Sequence, residues 1–318
     1  MNILITGISG FIGSHIAEEL LKNGHTLFAP IRRESEQKIS ELKKQTNLNI
    51  LSGEFHDAEL LNSIKEKIDV ILHFASIRGA GMGTLTDYTK INVGGTQTLL
   101  DYAKDNKIPK FIYCSTVGVL GSIPKKVPAK PDDKPRADGL YHQTKFESEK
   151  RVLAENGASL ITCVVRPTIT YGARDDGFIP KMISMVENKK LILPSGTVKL
   201  HLLNVSAFAT LISSMIEHDK WAGKIFHVAD KEPVILRKLV NKISNIVSKQ
   251  DYPGIYRVPG FVYRMSTFLL TVLGMQKINT SIKLISRNWF YDISKTVDEL
   301  DYQPADTLTS IESVIDGN

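Results

Sequence analysis

Met1-Asn2-Ile3-Leu4-Ile5-Thr6-Gly7-Ile8-Ser9-Gly10-Phe11-Ile12-Gly13 opens the chain, and its reading decides the fold. Ile3, Leu4 and Ile5 form an apolar run suited to a buried strand, and Gly7, Gly10 and Gly13 follow at intervals of three. From Ser14 to Lys22 a helix is expected, because Ile16, Ala17, Leu20 and Leu21 share one face. Strand, glycine turn and helix together make a dinucleotide-binding start. The glycines turn the chain tightly and admit a pyrophosphate to the helix N-terminus. A glycine triplet alone says little; one placed between an apolar strand and an amphipathic helix says much more.

The remaining composition suits this start. The 318 residues allow one large α/β domain with an appendage, or two domains, and the apolar share of 42 % supports a sizeable core. Forty basic against 34 acidic residues give a net charge of +6, spread without a long basic run, so no nucleic-acid partner is expected. Cys114 and Cys163 sit in apolar, strand-like runs and read as buried thiols rather than a disulfide or metal pair; no metal is expected. A strand begins at once with no leader before it, which leads to the expectation of a cytoplasmic protein. Phe261 to Met275 is apolar but short and contains Arg264, so stable membrane insertion is not expected. It reads as a helix over a substrate pocket or, less simply, as a membrane-surface contact.

Strand and helix then alternate. A second strand, Thr26 to Ile31, ends in Arg32-Arg33. In such folds an acid at this point binds the ribose of NAD, whereas arginine accommodates the 2′-phosphate of NADP. Arg32 and Arg33 therefore favour NADP, with NAD as the alternative. Further expected elements are a polar helix over Ser35–Gln45, a strand over Leu48–Leu51 ending in Gly53-Glu54-Phe55, and a helix over Ala58–Lys67. A strand over Asp69–His73 leads into Phe74-Ala75-Ser76, a loop follows with Gly79, Gly81 and Gly83, and a helix begins near Asp87. Phe111–Cys114 is a fifth strand ending in Ser115-Thr116; prolines 124, 128, 131 and 135 mark a loop; Ile161–Val165 is a sixth strand. The pattern implies a doubly wound parallel sheet, with a dinucleotide-binding domain at 1–165 and a smaller, mainly helical substrate lobe at 166–318, parts of which return to the core.

Tyr141 and Lys145 lie four apart at the start of a helix and so share a face. An ammonium beside a phenol favours the phenolate and lowers its pKa, so the tyrosine can exchange a proton with an alcohol while hydride moves to or from a nicotinamide. Thr116, at a strand end, can bond the same oxygen, and Ser115 is the alternative hydroxyl. Such a pair is common by chance; its weight comes from the order of glycine turn, Ser-Thr strand end and Tyr-x-x-x-Lys helix start.

At this point the chain resembles an extended short-chain dehydrogenase/reductase of the NAD-dependent epimerase/dehydratase family. The motifs that carry the resemblance are Thr6 to Gly13, Asp69 to Ala75, Asn92-Val93-Gly94-Gly95-Thr96, Arg166-Pro167, Tyr171-Gly172 and Leu300-Asp301-Tyr302-Gln303-Pro304. The resemblance implies Thr116, Tyr141 and Lys145 as the catalytic triad. It implies that Gly7, Gly10, Phe11, Ile12 and Gly13 bind the pyrophosphate, Glu54 and Phe55 the adenine, and Phe74, Ala75 and Ser76 the ribose and diphosphate region. Asn92, Pro167, Ile169 and Lys145 complete the cofactor site. A homodimer through helices near 88–104 and 142–155 is implied as well. No acid follows Thr116, which argues against a 4,6-dehydratase. Where nucleotide-sugar enzymes carry an arginine ahead of an aspartate, this chain has Lys199-Leu200-His201-Leu202-Leu203-Asn204, so Lys199 or His201 would stand in for the arginine beside Ser76 and Thr116 as substrate-binding residues. The expected function is hydride transfer to or from a secondary alcohol or ketone of a small molecule, first of all a nucleotide-sugar, as epimerase or reductase. The rival reading is a dehydrogenase or reductase of a sterol-like or other hydrophobic compound, and a weaker one is a non-catalytic NADP sensor.

Overall fold

The computed structural model describes residues 1–78 and 83–316, the side chains of 276, 277 and 316 apart. The first half alternates as the periodicity requires. Its elements are β1 (Asn2–Thr6), α1 (Phe11–Lys22), β2 (Thr26–Ile31), β3 (Leu48–Ser52), α2 (Ala58–Asn62), β4 (Val70–His73), α3 (Leu85–Tyr88), α4 (Gly95–Asp105), β5 (Lys110–Cys114), α5 (Gly139–Ala154) and β6 (Ile161–Pro167). The second half holds β7 (Ile169–Tyr171), α6 (Phe178–Glu187), β8 (Leu193–Pro194), β9 (Lys199–Leu200), β10 (Leu202–Asn204), α7 (Val205–Met215) and β11 (Ile225–Val228). It continues with β12 (Val234–Ile235), α8 (Leu236–Ser248), β13 (Arg257–Val258), α9 (Gly260–Val272), α10 (Gln276–Ser286), α11 (Ser294–Leu300) and α12 (Thr307–Asp316).

Seven strands form one parallel sheet in the order β11-β6-β5-β4-β1-β2-β3. The order reverses between β1 and β4, whose register sets Thr6 against His73. In a doubly wound sheet the crevice at the carboxyl ends of such a strand pair is where ligands collect. Ile3 and Ile5 turn to the core shared with α1 and α7, while Leu4 turns to the core under α4 and α5, so both faces of the sheet are covered. That is why the strand reads as a continuous apolar run. β11 and α7, although late in the chain, belong to this layered core. The remaining lobe has its own core around Tyr171, Trp289, Leu239 and Tyr252, with three short strand pairs, β7 with β10, β9 with β12 and β8 with β13.

Several elements differ from the sequence expectations. Residues 35–45 form two short 3-10 segments, Arg33–Ile39 and Leu42–Lys44, instead of one helix. Beyond Ser35, only Ile39 and Leu42 are buried there, and a polar helix has no stripe with which to bind the sheet. The helix starting at Ala58 stops at Asn62, where the Ser63 hydroxyl donates to Leu60 O at 2.6 Å and competes with the next helical bond. The helix near Asp87 starts at Leu85 under a Thr84–Asp87 capping box and passes through a π-helical turn, Thr89–Gly94, before α4. Of the glycine loop, Gly79 and Gly81 lie outside the described residues. Of Phe261 to Met275, the part as far as Val272 forms a helix, α9, but it does not lie over a pocket with its apolar side. The inward face carries Tyr263 and Thr267, and the large apolar residues face solvent. No described helix is long and apolar enough to cross a membrane.

Buried titratable groups cluster within the second half. Asp230 accepts from Tyr171 Oη at 2.8 Å, Thr307 Oγ1 at 2.6 Å and Asn204 N at 2.8 Å. Burial pushes its carboxyl up to about 6. Burial pushes His201 down to about 4 and His227 down to about 3, against an ordinary 6.5. The signs oppose each other. A histidine held below its unfolded pKa contributes stability present above pH 6.5 and lost as the pH falls towards its folded pKa, whereas the ionised Asp230 costs the folded state above about 4. Between pH 7.5 and 5 the two histidines outweigh the one aspartate by about 2 kcal/mol. The melting temperature is therefore expected to fall by roughly 5 °C over that interval. A scan by circular dichroism showing a flat or rising Tm on acidification would contradict this accounting.

Candidate active site

The glycine turn is built of backbone. Gly10 N donates to Gly7 O at 3.0 Å, closing the turn. A Cβ on Gly13 would stand 2.2 Å from Gly7 O, and one on Gly7, whose φ is +86°, would meet Ala75 N at 2.7 Å. Side chains there would force α1 away from β1 and close the space in front of it. α1 has no side-chain cap at Gly10 and no acid in its first turn. Its first N–H groups and the positive end of its dipole are thus left uncapped by side chains at the end of β1. Phe11 and Ile12, half-buried, flank it. These residues fit a dinucleotide pyrophosphate.

Beside this turn, β2 ends at Ile31 and delivers Arg32 and Arg33 to the surface. Arg32 faces Glu34 at 3.4 Å, a pair with both side chains more than half exposed. Such a pair is weak in water, so the guanidinium can leave it for a phosphate. Glu54 is exposed at the end of β3, while the Phe55 ring turns inward against Gly95 and 5.3 Å from His73. Only the backbone of Phe55 is left to line an adenine site. Phe74 packs edge-on against Phe208, and Ala75 and Ser76 are half-buried at the end of β4. Pro167 ends β6, and Ile169 begins β7.

A hydrogen-bond chain fixes the crevice from behind. The Thr96 hydroxyl donates to Asn92 O at 2.6 Å, so it accepts from His73 Nε2 at 3.1 Å. His73 Nδ1 is then the acceptor for the Thr6 hydroxyl at 2.8 Å, and Thr6 Oγ1 accepts from Ala75 N at 3.1 Å. Burial and the nearby Lys145 ammonium hold His73 well below its ordinary pKa, which keeps this neutral tautomer. The Asn92 side chain is largely committed within the protein: Oδ1 accepts from Ile77 N, and Nδ2 donates to Ile77 O and to Thr144 Oγ1. It positions α5 and the segment after β4 with both amide protons spent, leaving one Oδ1 lone pair.

Thr116 follows β5 and caps the 3-10 turn Val117–Leu120, its Oγ1 accepting from Gly118 N at 3.1 Å. That leaves the Thr116 proton free to be donated. Ser115, the alternative hydroxyl, is buried. α5 packs against this turn. The contact needs Gly118, because a Cβ there would stand 2.2 Å from His142 Nε2. Tyr141 is half-buried, and Lys145, one helical turn on, is buried with its ammonium 4.2 Å from the centre of the Tyr113 ring. Burial raises the Tyr141 phenol above its ordinary pKa, and Lys145 opposes that rise. Lys145 thus acts in the direction expected from the sequence, and burial outweighs it. The ammonium acts on the phenol against desolvation rather than against water.

Two further features carry no simple sequence signal. Asp138 accepts from His142 Nδ1 at 2.7 Å and from Ser122 N at 3.0 Å. Burial raises its pKa, but these bonds win and hold it at about 2. Their i,i+4 spacing was the available hint. Arg166 donates through Nε and Nη2 to both oxygens of Glu149, at 2.8 and 2.7 Å, and through Nη1 to Pro131 O at 2.9 Å. Both partners are almost wholly buried.

The proposed substrate residues separate. His201 is buried, its Nε2 donating to Asp230 O at 2.7 Å and its Nδ1 accepting from Tyr291 N at 3.2 Å. Both ring nitrogens are thereby used, and the residue has no bond to offer a substrate. Lys199 is exposed. Asn204 caps α7, its Oδ1 accepting from Ser206 N and Ala207 N, a task an aspartate performs equally well.

A family model described as the NAD dependent epimerase/dehydratase family matches residues 3–229. The chain is 30 % identical over 247 residues to a 4-hydroxy-2-methyl-3-oxo-4-farnesyl-3,4-dihydroquinoline-1-oxide ketoreductase of Stigmatella aurantiaca, covering 76 % of this chain and 71 % of that one. It is 25 % identical over 317 residues to a UDP-glucose 4-epimerase of Vibrio cholerae, covering 96 % and 92 %. Among solved structures, the UDP-glucuronic acid 4-epimerase of Bacillus cereus in complex with NAD superimposes with a TM-score of 0.77. It is 23 % identical, with 99 % of this chain and 98 % of that chain covered.

Proposed function

This chain belongs to the NAD dependent epimerase/dehydratase family, and from that premise we propose that it is an NADP-dependent reductase or dehydrogenase of a hydrophobic ketone or secondary alcohol, acting through Thr116, Tyr141 and Lys145. The observation that carries the reaction class is the buried Lys145 ammonium one helical turn from the Tyr141 phenol on α5, beside a Thr116 hydroxyl whose proton is free to be donated. The bound dinucleotide supplies or accepts the hydride. In the reducing direction Tyr141 Oη gives its proton to the carbonyl oxygen as negative charge develops there, and Lys145 stabilises the phenolate left behind. The Thr116 hydroxyl, its oxygen already engaged by Gly118 N, donates to the same carbonyl oxygen. In the oxidising direction the same atoms run in reverse, with the phenolate as base. We further propose that two copies pair through α4 and α5.

The hydrophobic substrate is supported by the loss of His201 from the pair expected to meet a diphosphate. A nucleoside diphosphate needs cationic groups, and His201 is committed to Asp230 and Tyr291, which leaves Lys199 alone of the expected pair. The 30 %-identical relative is named for a farnesylated quinoline oxide. A nucleotide-sugar substrate is the second reading, favoured by the nearly end-to-end match to the Vibrio cholerae epimerase. The capping role of Asn204 removes one objection to it. The test is NADPH oxidation against aliphatic and polycyclic ketones, beside thermal shifts with UDP-, GDP-, CDP- and dTDP-sugars. Turnover of a ketone without stabilisation by nucleotides is expected. The opposite pair of results would replace the first reading by the second.

The NADP reading has a separate check. Converting Arg32 and Arg33 together to alanine removes charge-assisted bonds of roughly 1.5–3 kcal/mol, so NADPH affinity is expected to fall about 10- to 100-fold while NADH affinity stays level. Equal affinities before and after, measured by fluorescence titration, would remove the phosphate-binding role from these arginines.

A further inference from the structure

Helix α9 is built inside out. The side that packs inward carries Tyr263 and Thr267, and its contacts are polar. Tyr263 Oη donates to Ile192 O, Thr267 Oγ1 donates to Arg264 O, and Asn279 of α10 donates to Thr271 Oγ1 at 2.7 Å. Phe261, Met265, Phe268, Leu269 and Val272 recur at helical spacing on the other side, each between 55 and 73 % exposed. The turn into α10 continues the exposed surface with Leu273 and Met275. Soluble proteins rarely leave a continuous apolar stripe of this kind to water unless something covers it.

Charge identifies what covers it. From Ile255 to Tyr291 the sequence contains no Asp or Glu but holds Arg257, Arg264, Lys277, Lys283 and Arg287. Arg264 borders the apolar stripe. With Arg287, Ser286, Thr267, Tyr263 and Gly260 it lines a groove of about 460 Å³. Among the described residues neither Arg264 nor Arg287 is paired with a carboxylate. A second copy of the same face would bring these unpaired cations against one another. An anionic lipid surface offers the matching pattern instead, with phosphates at the level of the cations and hydrocarbon beneath them.

We propose that α9 and the start of α10 form a membrane-surface anchor. The helix lies in the plane of an anionic bilayer, Phe261, Met265, Phe268, Leu269 and Val272 enter the acyl boundary, and lipid phosphates pair with Arg264 at the edge of the stripe and with the neighbouring Arg287. The anchor lies on the membrane, in keeping with the lack of any described helix able to cross one. It stands independently of the substrate reading, although an enzyme so placed could take a lipophilic substrate directly from the bilayer.

The test is flotation of the full chain with vesicles of phosphatidylcholine alone, or of phosphatidylcholine with roughly one-third phosphatidylglycerol. Binding to the anionic vesicles is expected, at least about tenfold tighter than to the neutral ones and weakened by salt. The double variant Phe268→Asp, Leu269→Asp should lose binding about tenfold or more while its melting temperature and NADPH affinity stay unchanged. Arg264→Glu with Arg287→Glu should abolish the preference for anionic lipid. Failure of the wild-type chain to float overturns the proposal, as does equal flotation of wild type and the Phe268–Leu269 variant. So does a wild-type dimer in solution that this variant dissociates without any effect on vesicles, since the stripe would then be a contact between copies.

Discussion

Replacing Tyr141 by phenylalanine is expected to lower kcat by roughly 10³-fold, with NADPH affinity changed less than about twofold. The ring stays, so the packing of α5 against the Val117–Leu120 turn and the tilted contact with His142 stay with it. Only the proton donor is lost. Because the carbonyl oxygen can still accept from Thr116, residual turnover is expected rather than none. The pH profile separates this from a structural defect. In the wild type the reductive rate should fall at alkaline pH as the phenol, raised by burial and restrained by Lys145, gives up its proton. That limb should vanish in Tyr141→Phe. Lys145→Met should move it further towards alkaline pH, since desolvation would then act unopposed. A Tyr141→Phe enzyme with more than a tenth of wild-type kcat would show that another group delivers the proton. A protein whose cellular role survives the substitution intact would be a sensor rather than a catalyst.

Arg166→Leu is expected to cost about 3–5 kcal/mol, because it leaves the Glu149 carboxylate buried without its partner. For a chain of this size that lowers the melting temperature by roughly 10 °C. The forked geometry is what makes the loss large. Both Glu149 oxygens are engaged by one guanidinium, and the third donor holds Pro131 O, so the loop between β5 and α5 loses an anchor at the same time. Glu149→Leu combined with Arg166→Leu should be markedly more stable than either single variant, since two apolar side chains replace two charges without an orphan. Chemical denaturation of the four proteins measures the coupling. A single Arg166→Leu loss below about 1 kcal/mol would mean that water reaches Glu149 and relieves it.

Arg166 also shows where sequence reading stops. Its place after the sixth strand was legible as part of a motif, yet its partner lies 17 residues away on another element and is set by tertiary packing. The same holds for His73, whose two partners are 67 and 23 residues distant. Elements with local periodicity were readable: β1, α1 and the alternating order down to β6 follow from apolar spacing and glycine placement. Residues 35–45 were not, since a polar stretch leaves length as its only helical argument. In α9 the sequence showed a short apolar stretch but not which side of the helix it would occupy. Tyr263 and Thr267 reverse the usual rule by placing hydrogen-bonding groups inward, and only the packed structure shows that. His201 failed as a substrate ligand for a similar reason. Its motif position was visible, whereas Asp230 O and Tyr291 N, which take up its ring, come from distant chain.

The chain Thr6–His73–Thr96–Asn92 has one allowed direction of donation, fixed at one end by the Asn92 carbonyl and at the other by the Ala75 amide. Direction makes the residues heritable as a set. Exchanging His73 alone for an apolar ring strands the Thr6 hydroxyl, whereas changing all three to apolar residues of similar bulk strands no hydroxyl and leaves only the Ala75 amide without its acceptor. Positions 6, 73 and 96 therefore evolve as a single character. A laboratory lineage that alters one of them should recover fitness through the other two before it does so anywhere else in the crevice.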